Sequence, residues 1–269
     1  MISKDTNIGV ESIKNSSIID RIETPIHYRP SQFGLEDKYT GRDVEIAILD
    51  TGEPKHKDIK NGQMSVSFCE SNKNTLDKIG HSTLVSGIIV SNNKNSIIGL
   101  APNSDIYYGK VMSDNKKCSF NSLVAGVLWS IVKEVDIIVM ALGCKYDYRI
   151  LHDAIIKART SGICIFAAAG ENSENIDFPA DYQEVFSCGF LGRDKNINNI
   201  IKSKVDFYLP NKYLYSTYLN DKYVKIGGSS IITSFFAGLG ANLIECNKDQ
   251  VKKEEMPNFI YQNLIKIFK

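Results

Sequence analysis

The chain has 269 residues and carries 32 Lys and Arg against 31 Asp and Glu, so its formal net charge is +1. This length allows a large buried core without disulfide or metal staples, and a near-neutral charge gives no reason to expect nucleic acid or an anionic membrane as a partner. No secretory signal is evident and no stretch reads as long and apolar enough to span a bilayer, so we expect a cytoplasmic protein without a membrane partner.

Cysteine usage supports the same expectation. Six cysteines are scattered without C-x-x-C spacing, at Cys69, Cys118, Cys144, Cys164, Cys188 and Cys246. Without a signal peptide, reduced thiols are favoured over disulfide bridges. The sequence carries no indication of the oligomeric state.

Short apolar runs alternate with helix-like stretches along the chain. The runs predict strands at Val44–Leu49, Asp105–Met112, Asp136–Leu142, Ile163–Ala169 and Val185–Phe190. Helices are predicted at Leu84–Asn92, Ser122–Val135 and Ile150–Ser161. Continuously apolar strands are typical of a sheet covered on both faces, and this alternation implies right-handed crossovers. We therefore predict an α/β fold of three layers (α/β/α) around a central, mainly parallel sheet.

Two polar residues stand where this pattern is interrupted. Asp50 directly follows the run VEIAIL and precedes Thr51-Gly52, which places its carboxylate at a strand end. Working residues collect at the carboxyl ends of parallel strands, although a strand-terminating Asp is also common. His81 opens GHSTLVSG, where Gly80 and small residues precede a helical run. A lone histidine is usually structural or merely exposed, but only His81 of the four has this small-residue frame.

A serine completes the set. Ser230 lies in GGSSIITSFFAG, where Gly227 and Gly228 permit an unusual backbone and an apolar helical stretch follows. At a helix N-terminus the dipole and free amides favour an anion that develops beside the serine. The alternative is a capping serine before a buried helix. Together, however, an Asp, a His and a Ser are the parts that activate a serine nucleophile, since the His takes its proton and the Asp orients the His.

Asp–His–Ser is the chain order of subtilisin, and the surrounding residues resemble the subtilisin-like (S8) serine peptidases. AILDTG, GHSTLVSG and GGSSIITSFFAG are similar to the family's Asp, His and Ser motifs, and SIIGLAPNSDIYYGKVM and DFPADY match further segments. The resemblance runs from about residue 26 to residue 244. It implies a peptidase domain at residues 26–269 after a short extension at 1–25, with Asp50 orienting His81, His81 as general base and then acid, and Ser230 as nucleophile.

At the family's oxyanion-hole position this sequence has a different residue. The family has an oxyanion-hole Asn directly after the AAAG strand end, and here that position is Glu171, with Asn172 one residue later. An ionised carboxylate cannot donate a hydrogen bond and repels an oxyanion. In subtilisin itself, loss of this donor lowers kcat by about 10²–10³. Three interpretations stay open: Asn172 replaces the donor, Glu171 is held protonated by burial and donates, or the hole is defective and the enzyme slow.

The resemblance also implies a substrate site. Ala141, Leu142 and Gly143 match the segment that pairs with substrate backbone, so the partner is expected to be an extended peptide or protein. Ala169 and Gly170 end the neighbouring strand, and Asp177, Phe178 and Pro179 match the segment near the S1 pocket. A carboxylate at Asp177 favours Arg or Lys at P1 by charge complementarity, unless it is an ordinary loop Asp. The Phe178–Pro179 bond is a candidate for a cis peptide.

No cofactor is expected to be required, and a structural calcium ion is not favoured. Relatives often bind structural calcium, and Asp58, Asn92 and Asn93 partly resemble such a site, but calcium prefers more carboxylates than this region offers. The segment Ile22–Tyr28 is either a removable plug across the cleft or a free tail.

These observations favour a serine endopeptidase dedicated to processing one or few substrates. The alternative is a pseudoprotease or very slow protease that binds peptides. Intact Asp50, His81 and Ser230 favour the enzyme, whereas Glu171 favours the binding protein.

Overall fold

A parallel sheet forms the centre of the molecule, which is known here from a computed structural model that describes residues 6–7, 17–70, 73–170, 175–191, 203–210 and 213–268. In spatial order its seven strands are β12 (Phe207–Pro210), β11 (Phe186–Leu191), β10 (Cys164–Ala168), β9 (Ile137–Met140), β4 (Glu45–Asp50), β7 (Asp105–Lys110) and β5 (Met64–Ser67). All neighbouring pairs are parallel. The carboxyl ends of these strands therefore meet at one rim.

Helices cover both faces of this sheet. They are α1 (His81–Val90), α2 (Phe120–Val132), α3 (Arg149–Thr160), α4 (Ser229–Asn247) and α5 (Met256–Phe268). On β4, Ile46 and Ile48 belong to the core that includes residues of α1, α4 and α5, whereas Ala47 and Leu49 belong to the core with α2 and α3. Successive side chains of a strand point to opposite faces, so each face requires its own apolar cover. The predicted three-layer α/β/α architecture is confirmed.

Shorter strands join the periphery. β13 (Leu214–Tyr218) and β14 (Lys222–Ile226) form an antiparallel hairpin, and β2 (Ser17–Ile19) adds to β14. β3 (Ile26–His27) pairs in parallel with β6 (Ile97–Ile98). β1 (Thr6–Asn7) pairs in antiparallel fashion with β8 (Lys117–Cys118). The segment Ile22–Tyr28, expected to be either a plug or a free tail, is held against β6 through β3 and is not a free tail. Its role as a plug and the boundary at residue 26 stay predictions.

Helix α4 corrects one expectation. Ser229–Asn247 is long and apolar enough to cross a membrane by length and composition, contrary to the sequence interpretation. In the folded chain 89% of its most apolar window is buried inside the protein. Such burial is typical of a core helix, and a core helix passes the same test of length and composition.

Candidate active site

The carboxyl rim of the sheet brings two of the predicted residues into direct contact. Asp50 ends β4 and His81 begins α1, and both are almost fully buried. His81 Nδ1 lies 2.9 Å from each carboxylate oxygen of Asp50. An ionised carboxylate can only accept, so His81 Nδ1 carries the proton and Nε2 is the remaining basic nitrogen in the neutral ring. The backbone N–H of Thr51 also donates to Asp50 Oδ1, at 2.7 Å.

Ser230 lies in the first turn of α4, as predicted from its glycines. Gly228 precedes the helix with φ 151°, a conformation that favours glycine, and its carbonyl accepts hydrogen bonds from the amides of Ile231 and Ile232. Ser230 Oγ donates to the carbonyl oxygen of Ala141 at 2.9 Å. Helices α1 and α4, whose first turns carry His81 and Ser230, pack against each other. The fold therefore places the nucleophile candidate beside the predicted substrate-binding segment.

A buried carboxylate that the sequence analysis missed fixes the start of α1. Asp77 accepts five hydrogen bonds: from Thr51 Oγ1, from the amides of Ile79 and Gly80, and from both the amide and the hydroxyl of Thr83. Thr51 Oγ1 in turn accepts from the amide of Ser82. The Asp50 turn and the His81 helix are thus joined by side-chain hydrogen bonds. The only signal in the sequence was an Asp four residues before His81.

The predicted substrate segments also lie together. Ala141, Leu142 and Gly143 follow β9, and Ala169 and Gly170 follow its neighbour β10. The amide of Asp177 donates to the carbonyl of Ala169 at 3.1 Å, and the backbones of Cys144 and Phe178 exchange hydrogen bonds of 2.8 and 2.7 Å. The Phe178–Pro179 bond is cis, as predicted.

The Asp177 carboxylate occupies the gap between the two strand ends. A Cβ atom on Gly143 would lie 2.8 Å from Asp177 Cβ, and one on Gly170 would lie 2.6 Å from Asp177 Oδ2. Gly170 also has φ +86°, so both space and backbone favour glycine there. Burial raises the pKa of Asp177, with Lys145 partly opposing that rise. No described residue donates a hydrogen bond to this carboxylate.

The oxyanion-hole candidates cannot be placed, because Glu171 and Asn172 lie outside the described residues. Their roles stay predictions from the sequence.

The calcium candidates meet, but their donors do not suit an ion. Asp58 Oδ1 accepts from Asn93 Nδ2 at 2.7 Å, and Oδ2 accepts from Ser96 Oγ and from Tyr223 OH. The amide of Asn92 donates to the carbonyl of Asp58. Burial raises the pKa of Asp58, but the three side-chain hydrogen bonds outweigh it and hold that pKa below the usual value.

Calcium requires several oxygen lone pairs that face one point. At this position an N–H and two O–H groups point at the carboxylate instead, and Asn93 Oδ1 accepts from the amide of Asn95. Within the described ranges, no group of three or more His, Cys, Asp or Glu side chains could hold a metal. The residues present do not fit a calcium ion.

Comparisons with known proteins find several proteases that are similar to this chain. The minor extracellular protease Epr of Bacillus subtilis is 35% identical over 211 residues, which cover 76% of this chain and 32% of Epr. The intracellular serine protease of Paenibacillus polymyxa is 30% identical over 241 residues, covering 84% of this chain and 74% of that protein. Subtilisin DY of Bacillus licheniformis is 31% identical over 215 residues, covering 77% and 78%. This chain thus spans about a third of Epr and about three quarters of the other two.

The family profile covers most of the chain. The profile described as "Subtilase family" (Peptidase_S8) matches residues 41–266, which include Asp50, His81 and Ser230. This range also contains the whole seven-stranded sheet. The chain therefore belongs to the subtilase family of serine endopeptidases (peptidase S8), which are hydrolases.

Proposed function

We propose that this protein is a serine endopeptidase in which Asp50, His81 and Ser230 form the catalytic triad. The observation that carries the proposal is the buried contact of His81 Nδ1 with both Asp50 oxygens, at 2.9 Å. That contact fixes the tautomer in which Nε2 can accept a proton from the serine hydroxyl. Ser230 then attacks the carbonyl carbon of the peptide bond, and His81 returns the proton to the leaving amine. Water hydrolyses the acyl-enzyme by the same sequence of proton transfers.

For Ser230 to react, its hydroxyl must exchange one partner for another. Oγ donates to the carbonyl of Ala141, so the hydroxyl proton has to turn toward His81 when substrate binds. The position of Ser230 in the first turn of α4 supports the next step. Its own backbone N–H belongs to the amides that have no partner within the helix, and such amides stabilise a developing oxyanion.

A fluorophosphonate probe tests the nucleophile directly. The parent protein should be labelled on Ser230, and Ser230→Ala should lose the label. Ser229→Ala is the matched control, because it removes the adjacent buried hydroxyl and should keep the label. A parent protein that stays unlabelled at high probe concentration contradicts the proposal, as does a label that survives in Ser230→Ala.

We further propose a preference for Arg or Lys at P1, carried by Asp177. Its carboxylate lies at the ends of β9 and β10 between Gly143 and Gly170, and no donor from the described residues neutralises it. A P1 cation that reaches this half-buried carboxylate gains an ionic hydrogen bond. Fluorogenic peptides that differ only at P1 test the preference, and faster cleavage after Phe or Leu than after Arg and Lys contradicts it.

We propose a dedicated processing role in the cytoplasm, on one or few extended peptide or protein substrates. Glu171 at the family's oxyanion-donor position supports a slow, selective enzyme. All six cysteines are free thiols, which supports a reducing compartment. Thiol titration of protein from fractionated cells tests the location, since six reactive thiols after unfolding are expected. Cleavage of many unrelated proteins at similar rates contradicts the dedicated role.

The second candidate is a pseudoprotease that binds a peptide without cleaving it. Glu171 favours it, because a carboxylate repels the oxyanion. Replacement of Glu171 by Asn distinguishes a pseudoprotease from an enzyme with an impaired oxyanion hole. A gain in kcat of tenfold or more shows that the hole of the parent is impaired, whereas no change shows that Asn172 or another donor already fills it. Absence of turnover before and after the replacement supports the binding protein.

A further inference from the structure

A fully buried lysine lies beside the proposed triad. Lys110 ends β7, is 0% exposed and stands in register with Asp50 of the neighbouring strand. Its ammonium donates to the carbonyls of Thr51 at 2.6 Å and Leu76 at 3.1 Å, and to Asp114 Oδ1 at 2.8 Å. All three N–H donors of the lysine are therefore used. Lysine is almost never fully buried unless it is paired, so a specific role is expected.

The three acceptors of Lys110 belong to three different loops. Thr51 directly follows Asp50. Leu76 directly precedes Asp77, whose carboxylate holds the first turn of the His81 helix. Asp114 lies in the turn that connects Met112 to β8, where the amide of Ser113 donates to the carbonyl of Lys117. One ammonium thus joins the Asp loop, the loop before His81 and the β8 turn.

Strand β8 pairs with an extended segment of the same chain. Thr6–Asn7 of the same chain pairs with Lys117–Cys118 in antiparallel fashion. On its other side Cys118 bridges Met112, whose amide donates to the carbonyl of Asp50 at 3.1 Å. Met112 therefore lies between β8 and Asp50. A substrate in extended conformation can add to the edge of such a strand through main-chain hydrogen bonds.

We propose that Lys110 is a positioning residue that couples the Asp50–His81 pair to the peptide-accepting edge β8. This inference rests on the proposed function. Lys110 contacts no substrate atom, because its three donors are directed at Thr51, Leu76 and Asp114. It fixes the loop after Asp50 relative to the His81 helix. Through Asp114 it fixes the position of β8 relative to both. A displacement of about 1 Å in such a site can lower a rate by about 10²-fold.

The charges around the ammonium agree with this role. Asp114 is partly exposed and contacts Lys110 at 2.8 Å and the exposed Lys78 at 3.5 Å. Burial raises the pKa of Asp114, but its hydrogen bonds and ion pairs with Lys110 and Lys78 outweigh it and hold that pKa below the usual value. The tie to β8 is therefore an ion pair at neutral pH, whereas the ties to the two catalytic loops are hydrogen bonds to backbone carbonyls.

Three variants distinguish the contact of Lys110 with Asp114 from its contacts with the two catalytic loops. Lys110→Met keeps a long unbranched chain and removes every donor. Asp114→Asn weakens the tie to β8 and also the ion pair with Lys78. Lys78→Met is the matched control, since it removes the exposed partner of Asp114 and keeps Lys110. Each is assayed on two arginyl substrates: a tetrapeptide amide that can add to β8, and a blocked single-residue arginine amide that cannot.

Lys110→Met and Asp114→Asn are expected to affect different kinetic constants. Lys110→Met lowers kcat by about 10- to 100-fold on both substrates, because the Asp50–His81 geometry is disturbed. Asp114→Asn raises KM for the tetrapeptide several-fold and leaves the single-residue substrate unchanged. Lys78→Met changes either constant by less than about twofold for both substrates, because its ion pair with Asp114 is long and exposed. A well-folded Lys110→Met with parental constants overturns the proposal, as does an Asp114→Asn variant that affects both substrates equally.

Amide hydrogen exchange provides a readout that does not need turnover. Lys110→Met should raise exchange in two separate peptides, one covering residues 77–84 and one covering 113–119, whereas increased exchange in only one of them overturns the coupling. If Lys110→Met does not fold, the Asp114→Asn variant carries the same decision through its effect on 113–119 and on KM. Failure of the parent to react with the fluorophosphonate refutes the proposed function instead, and the exchange result still decides the coupling.

Discussion

Replacement of Asp177 by Asn should change what the enzyme cleaves more than how well it folds. The carboxylate lies between Gly143 and Gly170, where an added Cβ on either glycine would come within 3 Å of Asp177 atoms. Asn has the same size and fits the same gap. It keeps the backbone hydrogen bond to Ala169, since that bond uses the Asp177 amide. The substitution therefore removes a charge and leaves the shape of the gap.

The magnitude follows from the position of the charge. A unit pair about 4 Å apart interacts by about 4 kcal/mol at an effective dielectric constant of 20. Desolvation of the P1 cation and the half-exposed position of Asp177 reduce this value, and we expect a net loss of about 2 kcal/mol for an Arg substrate. This corresponds to about a 30-fold lower kcat/KM for Arg at P1. A Leu substrate should lose nothing or gain slightly.

The assay is the ratio of kcat/KM for Arg and Leu peptides of otherwise identical sequence. Asp181→Asn is the matched control, because Asp181 is exposed and lies four residues further along the same segment. Its Arg:Leu ratio should equal that of the parent. An unchanged ratio in Asp177→Asn, or an equal change in both variants, refutes the assignment of Asp177 to the S1 pocket.

The same ratio should depend on pH in a defined direction. Burial raises the pKa of Asp177, against a smaller opposing effect of Lys145. The carboxylate is ionised above its raised pKa, so the Arg preference is complete there and is lost as the pH falls through it. The loss should occur at higher pH than for an ordinary aspartate, whose pKa is about 3.9. Use of the ratio cancels any change of activity with pH that both substrates share.

Three further changes have expected outcomes. Asp77→Ala should lower the free energy of unfolding by about 3 kcal/mol, measured by urea denaturation, because five donors lose a buried carboxylate; a loss below about 1 kcal/mol contradicts the reasoning. Addition of EDTA should leave the melting temperature unchanged, because Asp58 is already hydrogen-bonded by protein donors, and a rise of several degrees on adding calcium argues against this. Deletion of residues 1–16 removes β1 and should lower KM for the tetrapeptide substrate, because the edge of β8 no longer has to be vacated; an unchanged or higher KM contradicts competition at this edge.

The buried half of the fold could be predicted from sequence, since hydrophobic pattern alone specifies a strand that is covered on both faces. The five predicted strands end within two residues of the observed ones. The edge strand β5 (Met64–Ser67) was missed because its residues are partly exposed and carry no apolar run. Helix α1 starts at His81, three residues before the prediction, because side chains of Asp77 and Thr51 hold its first amides. Such distant caps leave no periodic signal.

Of the active site, too, only a part could be predicted from sequence. The pairing of Asp50 with His81 was implied by the resemblance to the S8 peptidases, and the position of Ser230 at a helix start could be inferred from the glycines before it and the apolar stretch after it. Lys110 could not, since a lysine at the end of an apolar run gives no indication of its acceptors. These acceptors lie 59 residues before it, 34 residues before it and 4 residues after it along the chain. Only the parallel register of β4 and β7 places this ammonium beside Asp50.

Four buried or half-buried carboxylates have different roles because they have different partners. Asp50 faces an imidazole that can exchange a proton, Asp77 holds five protein donors and serves structure, and Asp58 is satisfied by Asn93, Ser96 and Tyr223. An acid whose lone pairs are filled by the protein has none left for a ligand. Asp177 is half-buried, and no donor within the described part of the chain reaches it. Burial raises the pKa of Asp177, and a cation at P1 would stabilise its ionised form; this is the physical argument for our proposal that Asp177 selects Arg or Lys.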